Sequence, residues 1–315
     1  MTLKRFPAAL SSRDGWADFL ELQRPGEPHV HQIEPTNHCP YTCEMCPRTK
    51  HMTRSLGFMD LELYEKIIDE VATFGAPVRS REIELFHFGE SLLHPRLDRM
   101  VAYASGRGLR TVLSVNAPEL LPAVAERMLS SGPAKLIVSL DGYDALSYRQ
   151  IRGNRADFAK AFANLHQLAR RVKEHPTPTE VCIRMIRMHR NAEHLARFQE
   201  EWEGHGLRVE LRPFFPWTEK DLTGLGEVRK YPPFMPCPFP WQYLVIQWDG
   251  TVVPCCRDYN AVNVMGNVAT RTLREIWNSE IYEDFRRQHR TGCFGDNTFC
   301  ADCTELFYED GRGGG

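Results

Sequence analysis

The stretch Asn37–Thr49, NHCPYTCEMCPRT, sets Cys39, Cys43 and Cys46 within eight residues, at offsets of four and three, with no fourth cysteine nearby. A structural zinc site takes four ligands, commonly from paired CxxC or Cys/His units, so this spacing suits zinc poorly unless His38 or His51 joins. Disulfides consume cysteines in pairs and are rare inside cells. Three thiolates on a cubane iron–sulfur cluster leave one corner open, where four would close it. Ten cysteines scattered at random over 315 positions would give about 0.007 triplets of this spacing.

Outside that loop the chain reads as an ordinary globule. Apolar residues make up 42% and charged residues 25%, enough for a real core. A net charge of −2 gives no reason to expect nucleic acid or an anionic membrane as partner. No apolar run is long enough to span a bilayer, and no signal peptide is visible, so the expected location is the cytoplasm.

Short apolar runs alternate with helical patterns from residue 29 to about 213. The expected strands are Val30–Pro35, Glu82–Phe88, Leu109–Val115, Lys135–Leu140, Glu180–Met188 and Leu207–Arg212. Helices are expected over Leu61–Phe74, Arg96–Arg107, Glu119–Leu129, Ala145–Ile151, Ala156–Glu174 and Glu193–Glu203. Six βα units argue for a parallel α/β sheet, a partial (β/α)6 TIM-like barrel with its chemistry at the C-terminal strand ends. Residues 1–28 read as a lead-in, 29–225 as the barrel and 226–315 as a small C-terminal domain. In that last part Asp249-Gly250 signals a hairpin between Tyr243–Trp248 and Thr251–Pro254, and one helix is expected from Leu273 to Arg287. So small a unit builds little core, and a metal cluster would supply what burial does not.

The CxxxCxxC loop after the first strand resembles the signature of the radical S-adenosylmethionine (radical SAM) superfamily. Further segments match in order. Gly89 and Glu90 of FHFGESLLHP resemble the Gly-Gly-Glu-Pro segment that closes the second strand. Asn116 matches the turn after the third. Ser139 and Arg152 lie in VSLDGYDALSYRQIRG after the fourth. The resemblance implies a [4Fe–4S] cluster on Cys39, Cys43 and Cys46 whose open iron binds S-adenosylmethionine, with Gly89, Glu90, Asn116, Ser139 and Arg152 as contacts to that cofactor. It also implies a 5′-deoxyadenosyl radical that abstracts hydrogen from substrate, and an outside reductant such as flavodoxin or ferredoxin. Met45 departs from the aromatic often found beside the cluster, a tolerable change for an apolar thioether.

Cys237, Cys255 and the Cys300-Ala-Asp-Cys303 pair form a second set of four. A structural zinc ribbon would use the same residues. Together with Gly266–Arg286 they resemble the auxiliary-cluster extension called SPASM, in its shortened "twitch" form, because no cysteine follows Cys303. That resemblance implies an auxiliary [4Fe–4S] cluster on Cys237, Cys255, Cys300 and Cys303.

Cys182, Cys256 and Cys293 are left over. Cys182 is expected to be a packed small hydrophobe and Cys293 a loop residue. Cys256, next to a ligand on an extended segment, would face the opposite side and could donate a hydrogen atom to a substrate radical. Arg184 in VCIRMIRMHRN is a candidate for holding an acidic or hydroxylated substrate, and His87 for taking a hydroxyl proton, with Glu34 and Glu84 also able to reach the interior.

Shortened-tail members that resemble this chain act on sugars and aminocyclitols. The function this implies is hydrogen abstraction from a sugar, aminocyclitol or nucleoside intermediate of antibiotic-type biosynthesis. The reaction is expected to turn an alcohol into a ketone, with the auxiliary cluster taking the electron. Epimerisation with Cys256 as donor, decarboxylation of a uronic acid and modification of a peptide are the alternatives.

Overall fold

The computed structural model describes residues 12–214, 217, 225, 236–301 and 303. The boundary expected between residues 225 and 226, and most of the Pro- and aromatic-rich stretch around it, lie outside the described residues.

Nine strands form one sheet, in the order β6-β5-β4-β3-β2-β1-β7-β8-β9. They are β1 (His29–Ile33), β2 (Glu82–Glu84), β3 (Arg110–Asn116), β4 (Lys135–Ser139), β5 (Glu180–Arg187), β6 (Arg208–Pro213), β7 (Tyr243–Ile246), β8 (Thr251–Val253) and β9 (Gly266–Asn267). Strands β1 to β6 pair parallel with their sequence neighbours. Among the described residues strand β6 does not return to β1; the other side of β1 is taken by β7, also parallel. The barrel is therefore open, and the C-terminal hairpin extends its sheet instead of standing apart.

Helices cover the outer face. Leu61–Ala72 shows how: Asp60 accepts a hydrogen bond from the Glu62 amide, and Tyr64, Ile67, Ile68 and Val71 fall on one buried stripe. Each such side chain contributes about 1.5–3 kcal/mol relative to leaving it exposed. The inner face carries a smaller apolar cluster of Val112, Ile137 and Cys182 with Phe86 against it. Cys182 is fully buried there, a packed small hydrophobe as expected.

Three local expectations are corrected. The lead-in contains a helix, Arg13–Gln23, started by Ser12 and packed on the C-terminal part through Trp16, Ala17 and Leu20. Trp241 Nε1 donates to Glu21 at 2.7 Å and Arg290 pairs with Asp18 across this contact. The single helix expected over Leu273–Arg287 is two, Leu273–Trp277 and Glu280–Thr291, because the Ser279 hydroxyl caps a new start by accepting from the Tyr282 amide. The hairpin loop has three residues, Trp248–Gly250, closed by the Gln247 amide donating to Thr251 oxygen at 2.9 Å. Gly250 sits at φ +84°, which a side chain would strain.

Candidate active site

The first cysteine loop begins just past the C-terminal end of β1. Arg48 holds it from within, donating to the carbonyls of Cys39 at 2.9 Å and Tyr41 at 2.8 Å. Its far side is tied to the helix Ala145–Arg152: the amides of Thr42 and Glu44 donate to the carbonyls of Arg152 and Ile151. Cys43 is buried, and Cys39 and Cys46 are partly so. Desolvation pushes Cys39 and Cys46 up to about 12, with the neighbouring Cys43 adding to it.

Three other strand ends converge on this loop. Gly89 approaches so closely that an added Cβ would collide with the Thr36 carbonyl oxygen. Glu90, fully buried, accepts from the Leu92 amide at 2.9 Å, the Asn116 amide at 2.8 Å and Asn116 Nδ2 at 2.6 Å. Burial raises its pKa to about 7 despite these bonds. Asn116 Oδ1 accepts from Arg152 at 2.5 Å, and Arg152 also pairs with Asp141 and lies 3.9 Å from Cys43 Sγ. Arg152 Nε is buried without a hydrogen-bond partner. In register across β3, β4 and β5 stand Asn116, Ser139 and Arg184. Four of the five residues expected around the cofactor thus meet directly or through the loop, and Ser139 lies beside Asn116 in the next strand.

Arg184 is already paired: its Nε and Nη2 reach Glu210 at 3.0 and 2.8 Å, and Lys135 binds the same carboxylate. The cation expected to meet an acidic substrate is engaged by a carboxylate within the sheet. His87 is placed as a bridge. Its Nε2 must carry the hydrogen given to the Cys256 carbonyl at 2.7 Å, and Nδ1 lies 3.5 Å from Glu34. Both ring nitrogens therefore have neighbours other than substrate.

The sequence reading noted Glu34 without foreseeing its role as a hub. Arg54 grips it bidentately at 2.9 and 2.8 Å, and the amides of Phe88 and Trp248 add bonds of 3.3 Å. Burial alone would raise its pKa, but His87 and Arg54 hold it down to about 2. Arg54 Nε also donates to the Tyr259 carbonyl, so this cluster ties the first loop to the second cysteine region.

The second set is assembled from afar. Cys237 precedes β7, Cys255 follows β8, and Cys300 and Cys303 close the described chain. All four sit close enough to disfavour one another's ionisation. Arg257 donates to Cys303 Sγ at 3.0 Å, and its amide to Cys255 Sγ at 3.4 Å. Cys293 is exposed, its amide donating to the Thr291 hydroxyl and its thiol lying 3.9 Å from the Thr291 carbonyl. Cys256 lies in a turn, not on an extended segment, so the expected opposite orientation does not follow. Its thiol lies 3.9 Å from the Tyr243 hydroxyl, in a cluster with Phe239, Val245 and Val253 that Cys255 packs against.

The donor chemistry bears on what these sulfurs hold. Thiolate sulfurs are the soft donors that iron–sulfur clusters and zinc take, and here they are gathered as a three and a four with an arginine against a sulfur of each set. Buried thiols become thiolates when a metal supplies the opposing charge.

Both sites carry one further signal in the sequence. An arginine stands two positions after Cys46 and two after Cys255. Arg48 braces the first loop, and Arg257 meets a sulfur of the second.

Comparison with known proteins gives two family matches: the radical SAM superfamily over residues 33–200, and the SPASM iron–sulfur cluster-binding domain over 237–304. An AdoMet-dependent heme synthase of Nitratidesulfovibrio vulgaris is 30% identical over 43% of this chain, a stretch only 35% of that enzyme's length. The S-adenosyl-L-methionine-dependent 2-deoxy-scyllo-inosamine dehydrogenase of Niallia circulans is 23% identical over 87% of this chain and 92% of its own. The crystal structure of BtrN in complex with AdoMet and 2-DOIA shares the fold, with a TM-score of 0.57 at 20% identity, covering 88% of this chain and 93% of BtrN.

Proposed function

The chain belongs to the radical SAM superfamily, and on that premise we propose that it oxidises a secondary alcohol of a sugar, aminocyclitol or nucleoside to a ketone. Cys39, Cys43 and Cys46 would hold a [4Fe–4S] cluster, and Gly89, Glu90, Asn116, Ser139 and Arg152 would line S-adenosylmethionine. Arg152 Nε is the buried donor that a carboxylate would satisfy. Cys237, Cys255, Cys300 and Cys303 would hold an auxiliary [4Fe–4S] cluster. When bound, the first cluster with S-adenosylmethionine supplies a 5′-deoxyadenosyl radical, and the second supplies an electron acceptor.

The observation that carries oxidation over epimerisation is the place of Cys256. Its sulfur is beside a ligand of the second set, in an apolar pocket, 8% exposed. A thiol so enclosed is poorly placed to give its hydrogen to a substrate radical. Decarboxylation drew on the arginines of VCIRMIRMHRN; Arg184 pairs with Glu210 and Arg190 with Glu44, which weakens that support. The relative that matches over 92% of its length is a dehydrogenase of an amino-inositol, which favours a small hydroxylated ring as substrate. A ferredoxin or flavodoxin as reductant, a cytoplasmic location and the division of labour between residues 29–225 and 226–315 belong to the same proposal. Among the described residues no helix is long and apolar enough to cross a membrane.

The test is a panel of amino- and deoxy-cyclitols turned over in deuterated water. Oxidation predicts a product lighter by two hydrogens and unaltered by Cys256→Ala. A product of unchanged composition carrying one solvent deuterium, and lost in Cys256→Ala, would refute the proposal in favour of epimerisation.

A further inference from the structure

Away from both cysteine sets, three side chains on the helical layer point their donor atoms at one place. His166 comes from the helix Phe158–Glu174. Glu201 and His205 lie four residues apart, at the end of the helix Leu195–Gly204 and at its C-cap. Glu201 Oε1 is 3.5 Å from His166 Nε2 and 3.3 Å from His205 Nε2, and the three donor atoms all fall within 4.8 Å of one another. Ligands about 2.0–2.1 Å from a tetrahedral zinc lie roughly 3.3 Å apart, so these spacings suit one ion at the centre. Two imidazoles and a carboxylate are a borderline-soft donor set of the kind that binds Zn²⁺ with an open fourth position.

The surroundings hold the donors in place. The other carboxylate oxygen, Glu201 Oε2, accepts from the Tyr143 hydroxyl at 3.0 Å, leaving Oε1 to the histidines. Trp202, fully buried, packs against both rings at 5.0 and 5.9 Å, and Phe162 meets His166 at 4.4 Å. A cation here also sits at a helix C-terminus, where the backbone dipole favours it. His205 lines a surface cavity of about 370 Å³ with Lys173 and Glu203, which gives an ion a way in.

We propose that His166, Glu201 and His205 form a site for one divalent transition-metal ion, with Zn²⁺ the best match, which pins the helix before β5 to the helix after it. That joint lies at the edge of the sheet, where among the described residues β6 pairs only with β5. A single ion there would brace the last βα unit without taking part in the chemistry of the cysteine sites.

Cluster-loaded protein, its iron counted, is dialysed against micromolar Zn²⁺. Wild type is expected to retain one zinc per chain beyond its iron. His166→Ala with His205→Ala should retain none, at unchanged iron content and unchanged 5′-deoxyadenosine formation. Tyr143→Phe keeps all three ligands and should weaken zinc about tenfold. Should the double variant fail to fold, Glu201→Gln serves instead, with zinc expected to raise the melting temperature of wild type only. Equal zinc uptake by wild type and the ligand variants, or an equal melting shift, would overturn the site.

Discussion

Cys39, Cys43 and Cys46 come from one loop, and its own spacing sets their geometry; Cys237, Cys255, Cys300 and Cys303 are gathered from a strand entry, a strand exit and the chain's last described turn. The first set has three sulfurs and is met by residues from the ends of β2, β3 and β4. The second has four. On the proposed assignment, the first would keep a corner open among donors from rigid strands, while the second would close its coordination with sulfurs gathered from the extension of the sheet. Glu34 and Arg54 join the two.

Breaking one set at a time should produce the largest contrast. Cys43→Ala and Cys300→Ala are each expected to lower iron from about eight to about four per chain. Only the second should still form 5′-deoxyadenosine, while losing the ketone product. Equal loss of both products in the two variants would erase the distinction drawn between the sites.

The joint between the sites comes next in size. Arg54→Met leaves the buried Glu34 carboxylate with His87 and two long amide bonds, from Phe88 and Trp248, and without its guanidinium partner. Removing one partner of a buried pair costs about 3–5 kcal/mol, to be read as a fall in unfolding midpoint and in iron retention at both sites. The pH dependence follows from the same pair. Glu34 has a folded pKa of about 2 against an ordinary value of about 4.3, so its contribution is complete above about pH 4.3 and is lost as pH falls through about 2. The stability gap between wild type and Glu34→Gln should therefore narrow over that window; a gap that widens on acidification contradicts the assigned sign.

What could be read from the sequence follows the same division. The first loop, the six parallel strands and the strand-end positions of Glu90, Asn116 and Ser139 were legible because their signals are local: a cysteine spacing, alternating periodicities, turn residues. The partners of Arg152, Arg184 and His87 were not. Asp141, Glu210 and the Cys256 carbonyl reach them through strand register and hairpin docking, which no local pattern records. The break at Asn278–Ser279 was missed because the apolar period runs on across it, while the serine cap competes with the continuing helix.

The smallest effects are expected at the cysteines outside both sets. Cys182→Ala opens a small gap against Val112 and Ile137 and should cost about 1 kcal/mol with iron unchanged. Cys293→Ser, at an exposed position, should stay within about 0.5 kcal/mol. An iron deficit in Cys293→Ser would mean that the second set has been assigned the wrong fourth sulfur.

The most direct measurement is made on wild-type protein filled with iron under anaerobic conditions, given a strong reductant and S-adenosylmethionine with no substrate. The account predicts 5′-deoxyadenosine and methionine in equal amounts. Fully loaded protein, about eight irons per chain, that leaves S-adenosylmethionine intact would contradict an open coordination site on Cys39, Cys43 and Cys46.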